Sequence, residues 1–228
     1  MGLLLVSAAL DQLNPLPAVP QELSTITKIW GGQSFLDEKF TLNTLNSEHS
    51  RQHFGIVHLA THGVFGTEAA NSYIQFWGDS QFKLSQMQKD LGLNSNKNSP
   101  VELLVLSACE TALGDKKAEL GFGGLAYKTG VKTALASLWK VNDVGTLGLM
   151  TEFYKSLKKV RIKSQGLQQA QLAMIRGELF IENGQLRKKG EREGIPLSAE
   201  TLESIKDKKL NLKHPYYWAP FTMIGNPW

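Results

Sequence analysis

The 228-residue chain has a single cysteine, Cys109, so it can form no internal disulfide, and an oxidising compartment would give the fold no covalent staple. A reducing, cytoplasmic location is therefore the expectation. Long apolar runs are also missing: no stretch approaches the roughly 20 apolar residues of a membrane span. The opening Met1 to Leu10 has the outline of a short secretion signal, but no Lys or Arg precedes Lys28, and Val6 stands where N-myristoylation needs Ser or Thr. These residues read instead as a buried first strand, and no membrane partner is expected. Strong charge of one sign is absent as well. With 25 basic against 21 acidic side chains the net charge is +4, too mild an excess to hold a polyanion by itself. No basic run is interleaved with aromatics in the way single-strand binders need, so nucleic acid is not an expected partner. There is no internal repeat.

What the sequence does contain is two apolar runs that each end on one half of a thiol catalyst. Residues 101–109 read VELLVLSAC and residues 55–63 read GIVHLATHG. Each has the character of a buried strand, and ligands of an open α/β sheet bind beyond the carboxyl ends of its strands. A cysteine there needs a nearby imidazole, because the thiolate is the nucleophile and the imidazole raises its fraction at neutral pH. His62 could supply that group and then protonate a leaving amine. The backbone amides of Gly63 and Cys109 are candidate donors to an oxyanion. Taken singly, Cys109 also reads as a small inert hydrophobe and His62 as a core or turn residue. His58 and His62 lie four apart, but on a strand and without a third ligand, so no metal site is expected. The glycines at 121–124 lack phosphate-loop spacing and read as loop and helix entry.

The rest of the chain alternates strand and helix. Residues 3–9 form the first strand, and Leu23, Ile26, Ile29 and Trp30 recur at helical spacing over 21–30, where Gly31 and Gly32 stop the pattern. A weaker amphipathic stretch covers 41–53. Residues 73–83 carry a β-hairpin signature, at a sheet edge or over the site. A short helix at 86–91, a polar loop at 94–100, a glycine loop at 114–124 and a helix through Tyr127 capped by Gly130 follow the same reading. A buried strand covers 132–139. Asp143 is placed to cap a helix over 144–158, and a second helix is expected over 164–179. Residues 183–213, rich in Lys, Glu, Arg and Gly, read as a charged insertion, either solvated or a docking surface for an acidic partner. The aromatic segment 214–225 ends in a final strand near the site. One domain over 1–228 with a mainly parallel sheet is the expected organisation.

HLATHG at 58–63, LSACETALG at 106–114, GLAYKTGVKTALASLWKVND at 124–143 and HPYYWAPFTMIG at 214–225 closely resemble the CHAT domain, the caspase-like peptidases found with tetratricopeptide repeats and related to separase. The resemblance implies a caspase-like three-layer α/β/α sandwich acting as a cysteine endopeptidase on a protein substrate. It makes His62 and Cys109 the catalytic dyad, and Gly63 with Cys109 the oxyanion hole. No cofactor or metal is implied. In separase-like members an acid closing a W-x-V-x-D segment lies in the pocket for the P1 side chain, and Trp139 to Asp143 matches it, so Asp143 is implied to select a basic P1 residue. Metacaspases carry an Asp two residues before the nucleophile, where this chain has Ser107. Related domains begin with further strands, which implies an N-terminally shortened domain. The sequence carries no repeat array either, so a separate tetratricopeptide-repeat or other regulatory partner is expected. A basic-specific enzyme would be expected to nick itself at Arg187, Lys188 and Lys189. The competing readings are a catalytically silent CHAT-type interaction module and a different thiol acyl-transfer enzyme on a similar sheet.

Overall fold

The computed structural model describes residues 2–7, 16–52, 54–65, 73–78, 80–83, 101–107, 109–111, 130–206 and 210–228. In chain order the elements are β1 (Gly2–Ser7), α1 (Val19–Trp30), β2 (Gln33–Leu36), α2 (Leu42–Arg51), β3 (Phe54–Leu59), β4 (Gly63–Phe65), β5 (Tyr73–Gln75), β6 (Gln81–Lys83), β7 (Leu103–Leu106), β8 (Cys109–Thr111) and β9 (Thr133–Ser137). They continue with α3 (Asp143–Leu157), α4 (Lys163–Ile175), β10 (Leu179–Glu182), β11 (Gln185–Lys188), β12 (Ile195–Pro196), α5 (Ala199–Ile205) and β13 (Phe221–Gly225). The stretches read from sequence at 86–91, at 94–100 and at 114–124 running on through Tyr127 lie outside the described residues. The chain gathers into two compact units, one drawn from residues 1–15, 31–140 and 221–227, the other from 16–30, 141–220 and 228.

The first unit is built on a six-stranded sheet in the order β13-β9-β7-β3-β1-β2. Every neighbouring pair is parallel except β13 with β9, which is antiparallel. The apolar runs explain the centre: all residues of β7 and β9 are buried, as strands covered on both faces must be. Successive side chains alternate, so Val57, Leu59, Leu104, Leu106, Ala134 and Ala136 share one face, where they form a core with Phe40, Leu45, Phe54, Ile74, Phe76 and Phe82. Each large side chain fully buried there contributes on the order of 1.5–3 kcal/mol of transfer free energy. The edge strand β2 was not foreseen, because QSFL is short and only partly buried. Its entry depends on Gly32, where φ is +124° and a Cβ would stand 2.3 Å from the carbonyl oxygen of Leu3. A smaller sheet, ordered β6-β5-β4-β8, contains the expected hairpin of β5 and β6, and in it β4 and β8 run parallel.

The second unit holds α1, α3 and α4 with a three-stranded antiparallel sheet in the order β10-β11-β12. Helix α3 is buried continuously from Val144 to Tyr154, its polar Thr146, Thr151 and Glu152 included. Its N-cap is Asn142, whose side chain accepts from the Gly145 amide at 3.0 Å, so the expected cap at Asp143 falls one residue too late. The ammonium of Lys158 donates to the Ile29 carbonyl at 2.7 Å, placing a cation at the carboxyl end of α1. Helix α4 stops at Ile175, and Leu179, read from sequence as its last apolar residue, opens β10 instead.

The charged stretch 183–213 is folded in large part. Asn183 and Gly184, at φ +51° and +72°, make the two-residue turn between β10 and β11 that such positive angles favour. The buried Glu152 carboxylate accepts from Lys155 at 3.1 Å and from Lys188, tying β11 to α3. Arg187 and Lys188, which the sequence offers as part of a nick site, lie at the end of the central strand of this sheet, paired with Phe180 and Leu179 of β10. Among the described residues no helix is long and apolar enough to cross a membrane.

Candidate active site

The site residues in the first unit follow from how β3 and β7 end. These two strands are parallel neighbours in the large sheet, and their ladder continues past β7 through the Ser107 amide, which donates to the Leu59 carbonyl at 3.1 Å. The chain then leaves the large sheet at both places and pairs again in the small one, where Gly63 of β4 stands opposite Cys109 of β8. Parallel neighbours lie about 4.8 Å apart, so His62, one residue before Gly63, sits a single step from the backbone position across from Cys109. His62, Gly63 and Cys109, predicted separately from two apolar runs, thus meet at one break between the sheets.

The backbone around His62 is held from one side by β5. The Gln75 amide donates to the His62 carbonyl at 2.8 Å, and the Thr61 hydroxyl donates to the Gln75 carbonyl at 2.8 Å. The buried Gln75 side chain supports its own turn, its amide nitrogen lying 3.1 Å from the Phe76 carbonyl, 2.8 Å from that of Gly78 and 3.3 Å from that of Ser80. Phe76 stacks on Phe40 with ring centroids 4.4 Å apart and meets Phe82 edge-on, anchoring the hairpin in the core of the unit. Side-chain amide, turn and aromatic stack together brace the segment that carries His62.

A second pair was not read from sequence as part of the site. His58 and Ser107 are fully buried, and His58 Nε2 lies 3.0 Å from Ser107 Oγ. The burial of Ser107 keeps its hydroxyl away from any substrate. The signal was present: histidine and serine are the polar interruptions of two otherwise apolar strands, GIVHLA and LLVLSA.

Asp143 belongs to the second unit, at the first turn of α3. Its Oδ2 accepts from the Ala18 amide at 2.5 Å. Burial raises its pKa to about 7, the Ala18 hydrogen bond acting against the rise and the nearby Glu22 carboxylate adding to it. Among the described residues no group of three or more His, Cys, Asp or Glu could hold a metal ion.

A mainly parallel sheet whose central strands deliver a histidine and a cysteine at their carboxyl ends is the arrangement of the caspase-like α/β class. The crystal structure of the Arg specific cysteine proteinase gingipain R is similar, with a TM-score of 0.53 over 99% of this chain and 46% of that one, at 14% identity. At that identity the likeness speaks for the fold, and this chain spans less than half of the gingipain R chain. The chain belongs to the CHAT domain family, which it matches over residues 4–226. No curated protein matches it in sequence.

Proposed function

We propose that this CHAT domain is a cysteine endopeptidase in which Cys109 is the nucleophile and His62 carries the proton. The observation that supports the reading most strongly is the parallel register of Gly63 with Cys109, which puts the residue after His62 directly across from the cysteine. In the acylation step the Cys109 thiolate adds to the scissile carbonyl and forms a C–S bond. The oxyanion draws on the Gly63 and Cys109 amides. His62, protonated, gives its proton to the amide nitrogen as the C–N bond breaks and the amine leaves. Water then gives a proton to His62 and adds to the thioester, and collapse releases the acid and restores the thiolate.

A basic P1 side chain is the substrate preference within this proposal, with Asp143 as the selecting carboxylate. Its support is the W-x-V-x-D pattern at Trp139 to Asp143. Gingipain R, an Arg specific cysteine proteinase, suggests the class of peptide to try first. With a pKa near 7 the carboxyl carries only part of a charge at neutral pH, and a guanidinium arriving beside it would draw it to the ionised form.

The test is intact mass after wild type, Cys109→Ala and His62→Ala are treated, in reducing buffer, with a peptide bearing an electrophilic warhead and Arg at P1. One adduct on wild type, lost in Cys109→Ala and slowed in His62→Ala, is the expected result. A folded wild type that takes up no peptide warhead, whatever its P1 residue, would overturn the proposal in favour of an interaction module.

A further inference from the structure

We propose that His58 and Ser107 are positioning residues for the candidate dyad: the buried hydrogen bond between them fixes how β3 and β7 end relative to one another, and so sets the spacing of His62 and Cys109. The inference rests on the cysteine-peptidase reading and deepens it.

A hydrogen bond between side chains is a costly feature inside a parallel sheet. Both groups lose all contact with water, and a well-packed apolar pair of similar shape would serve stability as well. The pair's placement suggests what it does instead. His58 is registered with Val105, and Ser107 lies two residues beyond Val105 on the same face. The bond therefore runs diagonally, from within the β3–β7 ladder to a residue past the last residue of β7, where the two chains are about to leave the sheet. A slip of one residue would carry either side chain to the opposite face and abolish it. Four residues on from His58 stands His62, and two on from Ser107 stands Cys109. Fully buried, Ser107 cannot touch a substrate, so any influence on chemistry acts through the backbone that leads to Cys109.

The experiment measures kinact and KI for the peptide warhead, together with the melting temperature, in wild type, Ser107→Ala, Ser107→Thr, the double variant His58→Leu/Ser107→Ala and Leu45→Ala. Leu45→Ala opens a cavity elsewhere in the same unit and serves as a destabilised control. A positioning role predicts kinact at least roughly tenfold lower in Ser107→Ala with KI little changed, because small displacements of reacting groups cost rate steeply. It predicts that Ser107→Thr, which keeps the hydroxyl, recovers much of that rate. The double variant is expected to regain melting temperature without regaining kinact, and Leu45→Ala to lose melting temperature while keeping kinact. If kinact follows melting temperature across the whole series, or is unchanged in Ser107→Ala, the pair is only a satisfied core contact and the proposal falls. A wild type that takes up no warhead overturns the dyad itself and the positioning role with it.

Discussion

The carboxylate of Asp143, on α3, accepts the backbone amide of Ala18, which lies 125 residues earlier in the chain at the entry to α1. The contact joins the starts of two helices whose further packing includes Trp30 edge-on against Tyr154, with ring centroids 6.1 Å apart. A carboxyl desolvated in this way, and facing Glu22, holds its proton far longer than an ordinary aspartate.

That pKa fixes the sign of a pH effect. In the folded chain Asp143 titrates near 7, against 3.8 as its ordinary value, so between those pH values the folded state binds more protons than the unfolded one. Its contribution to stability is complete below about pH 4 and is lost as pH rises through 7. The slope from this one group approaches about 1.4 kcal/mol per pH unit in that window. Asp143→Asn keeps an acceptor for Ala18 and removes the titration. Urea unfolding at pH 5, 6, 7 and 8 should show a flatter profile for the variant, with its gain over wild type growing toward pH 8. Parallel profiles would refute the assignment.

Gln75→Ala removes the side-chain amide that serves three turn carbonyls while leaving the backbone bond to His62 in place. Loss of about 1–3 kcal/mol is expected, chiefly from the buried Phe76 carbonyl, because Gly78 and Ser80 are exposed and the Ser80 carbonyl still accepts from the Phe76 amide at 2.9 Å. Hydrogen exchange should locate the loosening in residues 73–83 and at the segment around His62. An exchange pattern identical to wild type would mean that the aromatic stack alone holds the hairpin.

Glu152 is the buried centre of an ionic cluster, 4% exposed in its side chain, between Lys155 and Lys188. Glu152→Ala leaves Lys188 without this carboxylate, while Lys155 keeps Glu191 at 2.7 Å, and is expected to cost about 1–3 kcal/mol. The urea midpoint measures it. A loss below about 1 kcal/mol would show that water already screens the cluster.

The basic stretch at 187–189 is expected to resist cleavage in the folded protein. A peptidase binds its substrate as an extended strand, and Arg187 and Lys188 are already engaged as one, paired with Phe180 and Leu179 of β10. Intact mass on prolonged incubation should stay unchanged there. A nick between 187 and 189 under native conditions would mean that the three-stranded sheet opens readily.

Much of this was legible because apolar runs speak for themselves. β3, β7 and β9 are continuous stretches bounded by turn residues, and His62 and Cys109 stand out at their ends. The pattern could not show where the chain changes sheets: Gly63–Phe65 and Cys109–Thr111 are three residues each, too short for any period to register. Leu179 fits a helical and a strand period equally, so the sequence pattern carries α4 four residues past its end at Ile175. The sequence does not separate Asn142 from Asp143 as the cap of α3, because both are good caps and only the Ala18 contact divides their tasks. The stretch 183–213 looked solvated because composition cannot reveal that Lys188 has a partner as distant as Glu152.

His58 and Ser107 lie 49 residues apart in the chain. Their bond can form only after β3 and β7 have found each other, a non-local pairing that folding reaches slowly. If the dyad is catalytic, a growing or half-folded chain carries its histidine and its cysteine as strangers, and a peptidase built this way is harmless to its own synthesis until the sheet closes.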